Sequence, residues 1–489
     1  MRFTGYLLAT ICLATAATAA ENATVERGPV PSWAVQSELM PVPEDASGLV
    51  FVRRQDALIH IDGDGQSSFF GYRIKILHSN ALSLGNVGIV WNPSAGAPTV
   101  HAVTIYRGGE AIDVLANTKF EVLRREDQLE AAALDGNLTA VLKVPDLRIG
   151  DELEIAFTTR SKDPTLGNDS FGILAFLPEL APGRFRMGLS WDQGKEPKIK
   201  PTPDLIPFAR RSPTSLDFAL DNPASLSPPK DAPPRYAWQR AVEYSDFADW
   251  ADISRRFHPL FAEAARLTPG SELRKEAAAI AAANQTQLAR ASAALKLVQQ
   301  EVRYIYVGLD GGNFMPADAD ETWQRRYGDC KGKSTLLLAL LAELGIEAEA
   351  VLASNSGIDD GLEQRLPNPA MFDHVLVRAK LDGGTYWLDG TLPPVATPSL
   401  DPIMPYRWVL PLSKAGTEIE PLPRHPDTHP TDLSLYDIDA SAGFDQPAKV
   451  AGTTIVRGIK GLQQQVQFSG ISHSQLVNAF RQELIGETW

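Results

Sequence analysis

From Ser334 to Leu344 the chain reads STLLLALLAEL, apolar nearly all the way round a helix. A helix of that kind must be wrapped by other elements, so the surrounding chain has to supply a layered core. Gly345 supplies its C-terminal cap. At its other end lies Arg325-Arg326-Tyr327-Gly328-Asp329-Cys330-Lys331-Gly332-Lys333, which places Cys330 at or just before the first turn. Unpaired backbone N–H groups and the positive end of the helix dipole gather there and stabilise a thiolate. Lys331 and Lys333 are expected to add positive charge. The same N–H groups suit a developing oxyanion.

The chain has two cysteines, and Cys12 falls in a leader-like segment. Arg2, an apolar run from Tyr6 to Ala14 and then small residues read as a secretion signal, residues 1–20. Ala17-Thr18-Ala19 or Thr18-Ala19-Ala20 suits the peptidase. Ile11 before Cys12 argues against a lipoprotein site. The mature protein is therefore expected to be exported, and periplasmic if the cell is Gram-negative, with Cys330 its only thiol. Most lone cysteines are small core hydrophobes. A core cysteine, however, should sit inside an apolar period, and this one follows a Gly-Asp turn.

A thiolate nucleophile needs a base and a group to orient that base. Ile346 to Ala353 reads as a strand, and a loop rich in Gly, Asn, Asp and Pro follows. Asp373 to Lys380 reads as a second strand, Asp382-Gly383-Gly384 as a turn and Thr385 to Asp389 as a third strand. A turn centred on Asp382 and Gly383 puts His374 opposite Thr391, with Asp389 its diagonal neighbour. A turn one residue earlier puts His374 opposite Asp389. Both registers bring imidazole and carboxylate to one face; a three-residue loop would not. Asp373 points to the other face by strand alternation. Taken singly, His374 reads as an ordinary strand histidine and Asp389 as a turn residue. Taken with Cys330, the set points to catalysis.

These residues resemble the transglutaminase-like superfamily. The likeness is closer to a bacterial branch marked by Tyr327-Gly328-Asp329-Cys330-Lys331, Phe372-Asp373-His374-Val375 and Leu388-Asp389-Gly390-Thr391. Members pair this domain with an N-terminal β-rich domain of unknown function. Tyr72-Arg73-Ile74-Lys75-Ile76-Leu77, Tyr106-Arg107-Gly108-Gly109 and Val144 to Asp151 look like its recurring segments. The resemblance spans roughly residues 48–420. It implies a papain-like α+β core and a triad of Cys330, His374 and Asp389. Many relatives carry an aspartate where this chain has Gly332. Trp323 and Gln324 are candidate oxyanion donors, with packing or surface roles as the alternatives.

The fold class expected is α+β and multidomain, an N-terminal β-sandwich followed by a papain-like/transglutaminase-like α+β domain. Alternation at Tyr72, Ile74 and Ile76 and at Leu153, Ile155 and Phe157 supports the sandwich. The expected organisation is an N-terminal extension at 21–47, the β-sandwich at 48–197 and a Pro-rich linker at 198–236. The catalytic domain follows at 237–420, with helices opening near Ser271 and running from Gln287 to Val302. A small C-terminal unit at 421–489, a strand at Lys449 to Val456 and a helix at Ser472 to Leu484, reads as incomplete because relatives continue further.

At 489 residues, 44% hydrophobic and 22% charged, the composition is that of a soluble globular protein. A net charge of −14 argues against nucleic acid or an anionic membrane as partner. No run reaches transmembrane length. His425 and His429 are split by Pro426 and Pro430, so no metal is expected, and no cofactor either. The expected partner is a peptide or protein amide. Thiol-dependent acyl transfer through Cys330, His374 and Asp389 is the leading reading, with hydrolysis favoured over transamidation. A non-catalytic envelope scaffold with an idle site is the alternative. A redox sensor is a weaker third, since no resolving cysteine is present.

Overall fold

The computed structural model describes residues 24–486 apart from 124–136, 164, 178, 227–229, 306–313, 356–360, 423–424 and 427. The leader at 1–20 lies outside the described residues. The chain forms two compact units. One takes residues up to 253 together with 306–315 and 358–373. The other takes 254–305, 316–357 and 374–489.

The first unit is β-rich. Its strands include β1 (Val50–Asp62), β2 (Gly65–Ile76), β3 (Asn86–Trp91), β4 (Thr99–Arg107), β5 (Leu138–Lys143), β6 (Glu152–Ser161), β7 (Phe171–Ala175) and β8 (Gly183–Trp191). Three more follow, β9 (Lys198–Pro201), β10 (Ser215–Asp221) and β11 (Ala241–Ser245). The main sheet runs β4-β6-β2-β1-β8-β10, with short strands at Glu26–Arg27 and Ala209–Ser212 on its two edges. The β1–β8 pair is parallel and the other pairs among these six are antiparallel. Strands β3 and β5 form a smaller sheet with Glu121–Leu123. Ile89, Trp91, Ala140 and Leu142 of that sheet share one apolar core with Ile59, Ile61, Val103 and Leu153 of the main sheet. Two sheets facing one core make a sandwich.

The linker expected at 198–236 is corrected by this topology. β9, β10 and Ala209–Ser212 lie inside it, and β10 pairs with β8 along its whole length. Leu216, Phe218 and Leu220 alternate inward and are buried in the common core. The described prolines of this stretch fall at strand ends and between strands.

Helix α1 (Trp250–Ala264) starts in the last residues of the first unit and runs into the second, where α2 (Leu273–Ala283), α3 (Gln287–Glu301), α4 (Ala319–Arg325) and α5 (Cys330–Glu343) follow. They accompany an antiparallel sheet of β14 (Gly384–Leu388), β13 (His374–Leu381), β12 (Ala348–Ala353) and β15 (Trp408–Pro411), in that order. The apolar run of α5 is buried as expected. Leu336, Leu337, Leu340 and Leu341 pack with Ala291, Leu295 and Val298 of α3 and with Val377, Ala379 and Leu388 of the sheet. Each buried leucine contributes about 1.5–3 kcal/mol. Gly345 ends the helix at φ +69°, a left-handed conformation that favours glycine.

The C-terminal segment is a hairpin, β16 (Asp432–Asp439) with β17 (Lys449–Val456), then α6 (Gly458–Ser469) and α7 (His473–Gly486). The strand and the last helix match the sequence reading. Helix α6 was not foreseen, because its glycines and glutamines carry weak helical patterning. Among the described residues no helix is long and apolar enough to cross a membrane.

Candidate active site

Cys330 is the first residue of α5, and Asp329 is the N-cap. Asp329 Oδ1 accepts the Gly332 N–H at 2.9 Å, and its carbonyl accepts that of Lys333. The N–H groups of Cys330 and Lys331 are left without an intrahelical acceptor, as at any helix start. The helix is tied to its surroundings through its second turn. Ser334 Oγ donates to the Val375 carbonyl at 3.1 Å, and Thr335 Oγ1 to that of Ala317 at 2.8 Å. The first of these bonds joins the cysteine's helix to the strand that begins with His374.

The hairpin closes in the first of the two registers considered. Leu381 pairs with Gly384 and Val377 with Leu388, around Asp382 and Gly383 at φ +47° and +83°. Both central residues at positive φ make the mirror-image turn whose twist suits a hairpin. β14 ends at Leu388, and Asp389 turns its carboxylate onto His374, which donates from Nε2 to Oδ2 at 2.8 Å. Asp389 Oδ1 accepts from Thr391 twice, from N at 2.9 Å and Oγ1 at 2.6 Å. Gln299 of α3 donates to the Asp389 carbonyl at 3.0 Å. Tyr406 stacks on His374, ring centroids 6.0 Å apart, and its hydroxyl lies 3.4 Å from Asp389 Oδ2.

Cys330, His374 and Asp389 are 0%, 3% and 8% exposed. Burial alone would push His374 towards neutrality. The charge and hydrogen bond of Asp389, with a contribution from the Cys330 thiol, more than offset it and hold the imidazole well above its ordinary range. Burial likewise opposes ionisation of Asp389, and His374 and Thr391 reverse it, so its carboxyl titrates below the usual range. His374 Nδ1 is buried and is the nitrogen that Asp389 leaves over, with the Cys330 sulfur as the other group bonded to the ring. The ring thus has one nitrogen fixed by a carboxylate and one left to the thiol, the arrangement a general base requires.

The flanking lysines differ from expectation. Lys331 is buried and ion-paired with Asp329, so its charge is largely spent within the helix cap. Lys333 is 2% exposed and donates to the Val302 carbonyl. Burial lowers its amine to about 8, with Asp389 acting in the opposite sense. Trp323 is buried in the core of this unit beneath the Arg326 guanidinium, and its Nε1 has no acceptor among the described residues. It therefore keeps a spare donor. Gln324 is exposed on α4, the placement of a surface residue, which corrects its candidacy as an oxyanion donor.

Gly332 has a local reason. A Cβ there would lie 3.0 Å from Thr322 Oγ1 and 3.6 Å from Asp329 Oδ1, so the Thr322 side chain would have to give by a few tenths of an ångström and an acidic group would sit beside the Asp329 carboxylate. Gln299, Thr391 and Tyr406 were not singled out from sequence as parts of this site. Only Thr391 carried a signal, in its place opposite His374. Among the described residues no group of three or more His, Cys, Asp or Glu side chains is placed to hold a metal.

Comparison with known proteins agrees with this architecture. Residues 274–389 match the model of the transglutaminase-like superfamily, a span that begins in α2 and closes on Asp389. Residues 64–215 match DUF3857, a domain of unknown function with a solved structure. A crystal structure of a candidate protease from Parabacteroides distasonis aligns with TM-score 0.54 at 15% identity, over 82% of this chain and 79% of that one. It shares the fold. A candidate cysteine protease from Cytophaga hutchinsonii aligns at 10% identity over 80% of this chain and 91% of its own, with TM-score 0.19. The periplasmic domain of TgpA from Pseudomonas aeruginosa aligns at 13% identity over 65% and 94%, also with TM-score 0.19. Scores that low carry no structural argument. Among curated proteins nothing matches.

Proposed function

Taking residues 274–389 as a transglutaminase-like core, we propose that this protein is an exported thiol-dependent acyl-transfer enzyme acting on peptide or protein amides. Cys330 is the nucleophile, His374 the base and acid, and Asp389 the group that orients the imidazole. The observation that carries the reading is the His374 Nε2–Asp389 Oδ2 bond of 2.8 Å, which leaves Nδ1 to the thiol in a buried site.

In the first step the Cys330 sulfur bonds to the amide carbon while the C–N bond breaks. The imidazolium gives its proton to the departing amine. In the second, His374 takes a proton from water, hydroxide displaces the thiolate and the acid is released. An amine in place of water would give transamidation. Hydrolysis is favoured because water needs no acceptor pocket. The charge that develops on the carbonyl oxygen has the Cys330 backbone N–H and Trp323 Nε1 as candidate donors. Export rests on the leader-like residues 1–20.

One observation favours the scaffold reading instead: Cys330 is fully buried. Acylation by p-nitrophenyl acetate distinguishes the two, because the ester is small and activated. The enzyme reading expects a burst of p-nitrophenol stoichiometric with protein, absent in Cys330→Ala and slowed in His374→Ala. Adding hydroxylamine during turnover then separates water from amine as acceptor. A wild-type protein with an intact thiol and no burst would instead support the scaffold.

A further inference from the structure

Tyr406 meets both halves of the His374–Asp389 pair, and the triad chemistry gives it no task. It lies in the irregular stretch that leads into β15 and is 3% exposed. Its ring belongs to a small apolar cluster with Val351 and Ala353 of β12, Leu376 of β13 and Trp387 of β14. His374 and Val409 both pair with Ala353, one from each side, so β13 and β15 start at the same end of the sheet. The His374 and Tyr406 ring planes are 20° apart with centroids at 6.0 Å, and the Tyr406 hydroxyl is 3.4 Å from Asp389 Oδ2. That oxygen is the one His374 Nε2 holds at 2.8 Å.

Packing alone would be served by phenylalanine. A hydroxyl beside a buried carboxylate does more, because an ionised carboxylate can only accept. The donors on Asp389 differ in kind. The two bonds from Thr391 to Oδ1 do not depend on the imidazole's charge. The bond from His374 does: it weakens when the imidazolium gives up its proton, since a neutral N–H is the poorer donor. Oδ2 then carries more uncompensated charge, and Tyr406 at 3.4 Å has room to close on it. O–H···O⁻ bonds settle at about 2.5–2.7 Å. The stacked ring also blocks the half-turn of the imidazole that would exchange Nε2 and Nδ1. Among the described residues, the other ionisable groups that act on the pair are Cys330 and Lys333 of α5.

We propose that Tyr406 is a positioning residue of the triad: its ring keeps Nε2 on Asp389, and its hydroxyl closes on Oδ2 as His374 gives up its proton. This role rests on the acyl-transfer reading. By stabilising the carboxylate beside a neutral imidazole, the hydroxyl eases the proton's departure to the leaving amine. It also keeps the base neutral, ready for water, at lower pH.

Two readouts test this, one of them independent of catalysis. In a Cys330→Ala background, where no thiol titrates alongside, the His374 midpoint is followed by ¹H–¹⁵N NMR, its signals assigned by their loss in His374→Ala. Tyr406→Phe should raise that midpoint by about half a pH unit or more. With the thiol present, deacylation after the p-nitrophenyl acetate burst needs a neutral His374, so the pH midpoint of kcat should move up as well. Tyr406→Leu, which also loses the stacked ring, should lower the maximal kcat by about tenfold or more. An NMR midpoint unchanged in Tyr406→Phe would overturn the proposal even where the wild type shows a burst, because a merely structural tyrosine gives that result. A raised midpoint in a protein without a burst would support the hydroxyl's hold on the pair and end the acyl-transfer reading instead. If Tyr406→Leu fails to fold, the near-isosteric Tyr406→Phe still decides.

Discussion

The β-rich unit and the triad both bury ionisable groups, but they complete them differently. On the main sheet Glu152 accepts from Arg53 and Arg73, with contacts of 2.9 and 2.6 Å. Asp56, wholly buried, takes three bonds from Ser37 and lies 3.8 Å from Arg186. There the partners come as fixed pairs, and the charges brace strands. At the triad the carboxylate is saturated by His374 and Thr391, yet the imidazole it orients keeps Nδ1 for the Cys330 sulfur rather than for a bracing partner. Lys333 nearby is buried with a carbonyl as its acceptor. A saturated ion pair holds a fold; a saturated group that leaves its neighbour to a nucleophile prepares chemistry.

Substitutions should split along that line, and the largest effect belongs to Asp389→Asn. Shape is kept but the imidazole loses its charged acceptor, so the acylation rate should fall by ~10³–10⁴-fold. Burst kinetics measure this, and a fall of less than tenfold would put Asp389 with the bracing pairs.

Next comes Lys333→Met. The buried amine titrates near 8 when folded, against 10.5 for an ordinary lysine, so the folded state carries an unfavourable charge below about 8. Stability should therefore rise with pH between those values in the wild type. The variant should lack that rise and be about 1–3 kcal/mol more stable near neutral pH, the lost bond to Val302 offsetting part of the gain. Urea unfolding at several pH values reads both.

Glu152→Gln should cost about 1–2 kcal/mol of stability and leave the burst intact. Burial alone would raise Glu152, but the Arg53 and Arg73 bonds hold it below the ordinary carboxylate range. Its contribution is present above the unfolded value and lost as pH falls through the folded one. The variant's stability should accordingly depend less on acid than the wild type's.

The smallest effect is expected from Thr391→Val. It removes one donor, at 2.6 Å, from Asp389. A loss of about 1 kcal/mol, or roughly fivefold in acylation rate, should follow. No change would mean the backbone N–H of Thr391 suffices.

Much of the site was legible because it depends on local rules. The apolar run after Cys330 demanded a buried helix, and the Asp382-Gly383-Gly384 turn left two registers, both of which put His374 and Asp389 on one face. Chain packing hid the rest. Gln299 and Tyr406 reach Asp389 from distant elements, and nothing in their own neighbourhoods announces it. Lys331 and Lys333 read as positive charge beside the thiolate, and nothing local announced their burial, since lysine is seldom buried without a partner. In the β-rich unit, prolines around 198–236 suggested a linker. The strands between them show that inward alternation at Leu216, Phe218 and Leu220 outweighs proline count.

The central claim is that His374 activates Cys330. Its most direct test is the rate of Cys330 alkylation by iodoacetamide near pH 6, read by mass spectrometry in wild type and His374→Ala. A free thiol, with pKa about 8.5, is almost wholly protonated there. Removing the ring can only open access to the buried sulfur, so a slower reaction in the variant reports the loss of the imidazole itself. The account predicts that the wild type reacts about tenfold faster or more. Equal rates in the two proteins would contradict it.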